Sequence, residues 1–189
     1  ESGYNKIGIW DVLGEYYSQG KMIIIYEKTI EKSWELMPRE KIEKFIEDIS
    51  LPEGTFPLIP LCIEQLVRLH EHAHALIDNL LRKTSKNFIL SNEINEPLAE
   101  YIAMLIVTRY GNELYKKLFE LLDEFTPDYY RRWEDLENNY PMGNERLVAL
   151  VECFLRVIVK YKVVKFDDLL DEKKKREYKN CAILEGIKS

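Results

Sequence analysis

The chain is short of the residues that mark several protein classes. It has three cysteines, Cys62, Cys153 and Cys181, an odd and widely spaced set. That pattern suggests neither a disulfide framework nor a CxxC metal knuckle, and it points to a reducing, cytoplasmic setting. Eight glycines and seven prolines are too few for a fibrous or low-complexity protein. Basic residues number 27 against 33 acids, a formal net charge of −6, so the footprint that non-specific nucleic-acid binding needs is missing. The one strong basic run, Lys173 to Arg176, follows Asp167, Asp168, Asp171 and Glu172 and reads as a solvated helix face. No apolar run approaches the roughly 20 residues of a membrane span; Leu147 to Val159 is broken by Glu152 and Arg156. Glu1-Ser2-Gly3-Tyr4 shows no signal-peptide pattern. The expected partner set therefore holds no nucleic acid and no membrane.

What is present is apolar substance: 46% hydrophobic and 12% aromatic residues, enough for one globular domain over residues 1–189. β-branched and aromatic residues dominate Ile7–Tyr17 and Lys21–Glu27, and Ser18-Gln19-Gly20 between them reads as a hairpin turn. Beyond Thr29 the period becomes helical. Helices are predicted over Lys28–Leu36 and Arg39–Ile49, then, after a loop from Leu51 to Pro60, over Leu61–Lys83, Asn95–Tyr110 and Asn112–Phe125. A shorter one follows at Asp128–Glu137, then an apolar one at Glu145–Ile158 and a charged one at Asp167–Lys179. The fold class is α+β, mostly helical, with a small N-terminal hairpin.

Histidine is scarce, and all three copies fall in one pentapeptide, His70-Glu71-His72-Ala73-His74. On a helix His70 and His74 stand about 40° and one turn apart, so both imidazoles can reach one metal ion. Glu71 lies about 60° from His74, near enough to touch a water on that ion without being a ligand. His72 is about 200° from His70, on the stripe of Gln65, Arg68, Asn79 and Lys83, and should face solvent. His70 and His74 sit instead amid the apolar arc of Leu66, Val67, Ala73, Ile77 and Leu81, where polar rings need partners. A lone buried histidine usually finds a backbone carbonyl. A shuffled chain of this composition contains HExxH with a chance of roughly 0.004, so a pair with this spacing is better read as a metal site.

A catalytic metal needs a third protein ligand and one open position. No other histidine exists and no cysteine is near, so the ligand is expected to be a carboxylate. Asn95-Glu96-Pro97-Leu98-Ala99-Glu100 supplies Glu96 and Glu100, one turn apart on the side that continues through Ala103 and Val107. Pro97 is expected in the first turn of that helix. Glu93, just outside it, is a weaker competitor.

His70-Glu71-x-x-His74 followed by Asn95-Glu96-x-x-x-Glu100 resembles the gluzincin (thermolysin-like) metallopeptidases over roughly residues 60 to 107, and Ala75 and Leu76 also look family-like. The resemblance implies one Zn2+ ion held by His70, His74 and Glu96. It makes Glu71 the general base and Glu100 the carboxylate that holds a ligand imidazole in its metal-binding tautomer. The implied fold is zincin-like, the activity is peptide-bond hydrolysis and the partner is a peptide or protein substrate. The hairpin of Leu13–Tyr26 resembles, more weakly, the small sheet whose edge binds substrate in zincins. The HExxH-plus-Glu arrangement also resembles the regulatory proteases of the ImmA/IrrE type, whose usual extra segments are not evident here. A rival from another class is a zincin-fold binding or scaffold module; the intact Glu71 argues against it. A second electrophile for the reaction's oxyanion must be Tyr or Arg, since no histidine is left over. Tyr140 is the choice, with Tyr129, Tyr130, Arg131 and Arg132 as competitors.

Overall fold

The computed structural model describes residues 13–52 and 54–187. Strands β1 (Gly14–Tyr17) and β2 (Met22–Ile25) form an antiparallel hairpin in the register Gly14↔Ile25 to Tyr17↔Met22. The part of the first predicted strand before residue 13 lies outside the described residues. At the turn, the left-handed position is taken by Lys21 (φ 48°), not by Gly20.

Helices α1 (Glu27–Glu35) and α2 (Arg39–Ile49) are separated at Pro38, whose ring fixes an extended entry to the second. Helix α3 (Ile59–Thr84) starts two residues before the predicted boundary because Pro60 fits a first helical turn. Helix α4 runs from Asn92 to Tyr110, three residues earlier than expected, so Pro97 lies inside it and not in its first turn. Helix α5 (Glu113–Asp123) is capped by Asn112, which accepts the Tyr115 N–H at 3.1 Å. The next predicted helix is split into a 3-10 turn at Tyr130–Arg132 and α6 (Trp133–Asn139). Helices α7 (Leu147–Tyr161) and α8 (Glu172–Ile187) complete the described chain, with Asp171 accepting the N–H groups of Lys173 and Lys174 at the start of α8. As the sequence pattern predicts, the fold is mostly helical with one small antiparallel hairpin.

Two apolar clusters flank α3. Ile30, Trp34, Phe45, Ile59, Ile63, Leu66 and Leu118 build one from α1, α2, α5 and the first half of α3. Ile77, Leu80, Leu98, Ile102, Phe154 and Val157 build the other from α4, α7 and the second half of α3. Helix α4 is buried along most of its length, as its nearly all-round apolar sequence dictates. Its Ala103 and Val107 reach the first cluster, while Leu98 and Ile102 belong to the second. Residues at the middle of α3 and the start of α4 are thereby held from both sides.

Two expectations are corrected here. Tyr140 is fully buried: its hydroxyl donates to the Leu169 carbonyl and its ring packs edge-on against Phe154 and Tyr178. With Tyr178 donating to Pro141 O at 2.7 Å and Tyr101 accepting from Met142 N at 2.9 Å, it pins the turn before α7. The cysteine reading also fails, because Cys153 of α7 and Cys181 of α8 form a disulfide (Cα–Cα 5.7 Å) and leave Cys62 free. Pairing of two helices erased the sequence separation of 28 residues, and the step from cysteine usage to a reducing compartment loses its basis. Among the described residues no helix is long and apolar enough to cross a membrane.

A crosslink over a loop of this length is worth on the order of 3 kcal/mol. Reduction, or the double substitution Cys153→Ala/Cys181→Ala, is expected to lower the melting temperature by roughly 6–12 °C. Calorimetry with and without reductant checks this, and the double variant should no longer respond to reductant.

Candidate metal centre

The site is built where the middle of α3 meets the start of α4. His70 and His74 of α3 and Glu96 of α4 each direct one ligand atom to a common point. The separations are 3.0 Å between the two Nε2 atoms, 3.2 Å from His70 Nε2 to Glu96 Oε2 and 3.1 Å from His74 Nε2 to the same oxygen. A tetrahedral ion with bonds of about 2.0–2.1 Å spaces its ligands by about 3.3–3.4 Å, so the triangle is nearly that of three protein ligands around one ion. All three side chains are largely buried, at 14%, 9% and 16% exposure, and what exposure they keep is toward one cleft.

The surrounding groups decide which way the protons point. Asn95 Oδ1 lies 3.2 Å from His74 Nδ1, which makes that nitrogen a donor and leaves a lone pair on Nε2. Glu100 Oε2 lies 2.7 Å from His70 Nδ1 with the same consequence. This second approach lies off the imidazole N–H axis, so it is a close ionic contact more than an aligned hydrogen bond. In these tautomers two imidazole lone pairs and a carboxylate oxygen point at one place. That place calls for positive charge, which protons on the rings supply in the metal-free protein and a divalent ion would supply in their stead.

The electrostatics agree. Burial by itself lowers the pKa of the His70 imidazolium, but the carboxylates of Glu100 and Glu96 outweigh it and push the value up to about 10. Burial raises Glu96, yet hydrogen bonding to His70 and His74 holds its carboxyl far below the usual range. Behind Glu100, Asp123 is pushed up to about 6 by burial and by the Glu100 charge. Each shift reports a small volume rich in acceptors and short of cations.

Glu71 is a fourth acid of this site and is not one of the converging ligands. It is 6% exposed. Its pKa is raised, first by burial and further by the charges of Glu96 and Glu15, against the pull of His70 and His74. The backbone of β1 passes directly over it. A Cβ on Gly14 would stand 2.7 Å from Val67 Cγ1 and 3.2 Å from Glu71 Cγ, so this close approach requires glycine.

Among the competing tyrosines and arginines, Tyr130 is the one at the site. Its ring stacks on His70 (centroids 5.9 Å apart, planes 26°), and burial with the nearby Glu96 charge lifts its phenol far above the ordinary value. It is a permanent hydrogen-bond donor at neutral pH. Arg131 acts on the backbone, donating to the carbonyls of Asp123 and Glu124 at 3.1 and 3.0 Å and so fixing the turn that carries Tyr130. Arg132 pairs with Asp135 and Asp167 and stacks on Phe166. Tyr129 is half exposed beside Tyr130. Tyr140 lies in the other packing environment described above. Glu93 accepts the Phe166 N–H and takes no part in the triad. His72 is exposed, with Nδ1 on the Arg68 carbonyl at 2.6 Å, as its place on the polar stripe predicts.

Two cavities open from the centre. One, of about 550 Å³, is a cleft whose floor is the α3 stripe His70, His74, Asp78 and Arg82, walled by β1 and by the first turns of α4. The other, about 100 Å³, is an apolar pocket formed by Leu66, Val67, Phe119 and Leu122, with Glu71 and Tyr130 at its mouth. In comparisons with known proteins, no family model, no curated protein and no solved structure matches the chain.

Removing Glu100 frees the His70 ring to choose the wrong tautomer. Glu100→Ala is expected to weaken binding of a titrated divalent ion such as Zn2+ or Co2+ by about 10–100-fold. Glu93→Ala should leave it unchanged. Competition titration against a chromophoric chelator, with one ion bound per wild-type chain, checks both.

Proposed function

We propose that this chain is a zinc-dependent peptidase in which His70, His74 and Glu96 hold the ion and Glu71 is the general base. The observation that carries the reading is Glu71 itself: a buried carboxylate with a raised pKa, beside three converging ligand atoms but outside their set. A metal that only braces a fold is closed by four ligands and has no use for such an acid. Two imidazoles and one carboxylate suit zinc and leave a coordination position open.

When bound, zinc supplies Lewis acidity, polarising a carbonyl and lowering the pKa of a water molecule toward about 7. Glu71 takes the proton of the attacking water and returns it to the departing amine nitrogen. Its raised pKa makes it a stronger base for the first of these transfers. Tyr130, held protonated beside His70, donates to the oxygen on which negative charge collects. Glu100 and Asn95 keep both imidazoles oriented. Backbone groups of β1 not engaged by β2 offer an extended peptide a strand to pair with along the cleft. The apolar pocket beside Glu71 takes an apolar side chain next to the bond that breaks.

The reading is tested by metal content and hydrolysis of a mixed peptide substrate, measured together. Glu71→Gln should keep one zinc and lose about 10²–10⁴ of the rate. Tyr130→Phe should keep zinc and lose about 10²–10³ in kcat with KM nearly unchanged. Glu96→Ala should lose the ion. A protein that merely binds metal and peptide would be indifferent to Glu71→Gln, and zinc-saturated wild type that cleaves nothing would overturn the proposal.

A further inference from the structure

The cleft is not electrically uniform along its length. Its floor is one helical stripe, His70, His74, Asp78 and Arg82, so it runs along α3 away from the metal ligands. At the ligand end the charges are carboxylates. Glu71 and Glu96 line it there. Glu15 belongs to the same end, where its charge is felt at Glu71 and its oxygens accept the hydroxyls of Tyr17 and Tyr26 at 2.6 and 3.0 Å.

The other end is different. Asp78 is its one acid among the described residues, and that carboxylate is already engaged. Arg82 Nε lies 3.1 and 3.0 Å from its two oxygens, and Tyr16 donates to it at 3.0 Å. Arg82 also reaches the Ser18 carbonyl at 3.3 Å, so its guanidinium is tied between α3 and the hairpin while still half exposed to the cleft. Lys86, two residues past the end of α3, lines the same space, is exposed, and has no carboxylate partner among the described residues. Asn92, at the start of α4, adds a neutral amide to the same lining. After the Asp78–Arg82 pair cancels, one positive charge is left over at this end.

Resting on the peptidase reading, we infer that this arm of the cleft recognises a carboxylate of the substrate, with Lys86 as its charge partner and Arg82 as a fixed second donor. The position follows from two rises. Arg82 is eight residues beyond His74, about 12 Å along the helix, and an extended peptide covers about 3.3 Å per residue. The recognised carboxylate therefore sits three to five residues from the cleaved bond, and on one side only, because the arm exists at one end only. An Asp or Glu side chain and a free C-terminus share this chemistry.

The test is a mass-spectrometric cleavage profile of a mixed peptide pool by the zinc-loaded protein, run with free and with amidated C-termini. Wild type should favour a carboxylate three to five positions to one side of the cut. For a matched Glu/Gln peptide pair, kcat/KM should differ by about three- to fivefold at low salt and less at high salt. Lys86→Glu, an exposed substitution outside the catalytic machinery, should abolish or invert that preference while cleavage of neutral peptides continues. A preference lost on amidation assigns the carboxylate to the C-terminus; one that survives assigns it to a side chain. Active cleavage with no such one-sided preference, or a preference untouched by Lys86→Glu, would overturn the inference and leave the peptidase reading standing. If the zinc-loaded protein cleaves nothing, both go.

Discussion

Three potential ligand atoms converging on one largely buried point form the constraint around which this molecule is organised. Nε2 of His70, Nε2 of His74 and Oε2 of Glu96 stand 3.0–3.2 Å apart, with Glu100 and Asn95 on the Nδ1 sides of the two rings. The three side chains are largely buried, and what exposure they keep is toward the cleft. A divalent ion fits the geometry that two imidazoles and a carboxylate provide there. Glu71 takes its meaning from this arrangement. It is buried beside the converging atoms without being one of them.

A site of this kind tolerates little movement, and the packing supplies the rigidity. The ligands lie mid-way along α3 and near the start of α4, between two apolar clusters that share both helices. Glycine at position 14 lets β1 settle directly onto Glu71, closing the site from above with backbone. Tyr130 reaches His70 from a short turn, which Arg131 ties to the carbonyls that end α5. Arg82 similarly joins α3 to the hairpin at the far end of the cleft. Secondary elements set the ligands, and side-chain-to-backbone bonds set the groups around them.

Much of this was legible before any coordinates. Helical periodicity placed His70 and His74 on one face and His72 on the other, and it put Glu96 and Glu100 a turn apart on an apolar side. Hairpin, helices and most boundaries followed from turn residues and capping. The start of α4 was misplaced because Pro97 was assigned to a first turn, whereas the buried helix accommodates it one turn further in. Tyr140 was misread because a tyrosine beside a turn is equally suited to packing. Its burial, and the carbonyl that satisfies its hydroxyl, depend on α8 and on the turn before it. Asn95 was present in the motif, but its contact with His74 is a property of how α4 meets α3.

By itself, then, the sequence determined the contents of the candidate metal centre: ligand types, their spacing on helices, an acid to spare and no histidine to spare. These are local facts, carried by residues within a turn or two of one another, so a rule of about 100° per residue captures them. Tertiary structure alone decided which tyrosine stands beside His70, which cysteines pair, and that the cleft runs from an acidic end to a basic one. Those outcomes join residues 28 to 64 positions apart, and nothing local encodes them. They follow from which helix faces must be buried together, an energy that belongs to the whole packed chain and not to any segment of it.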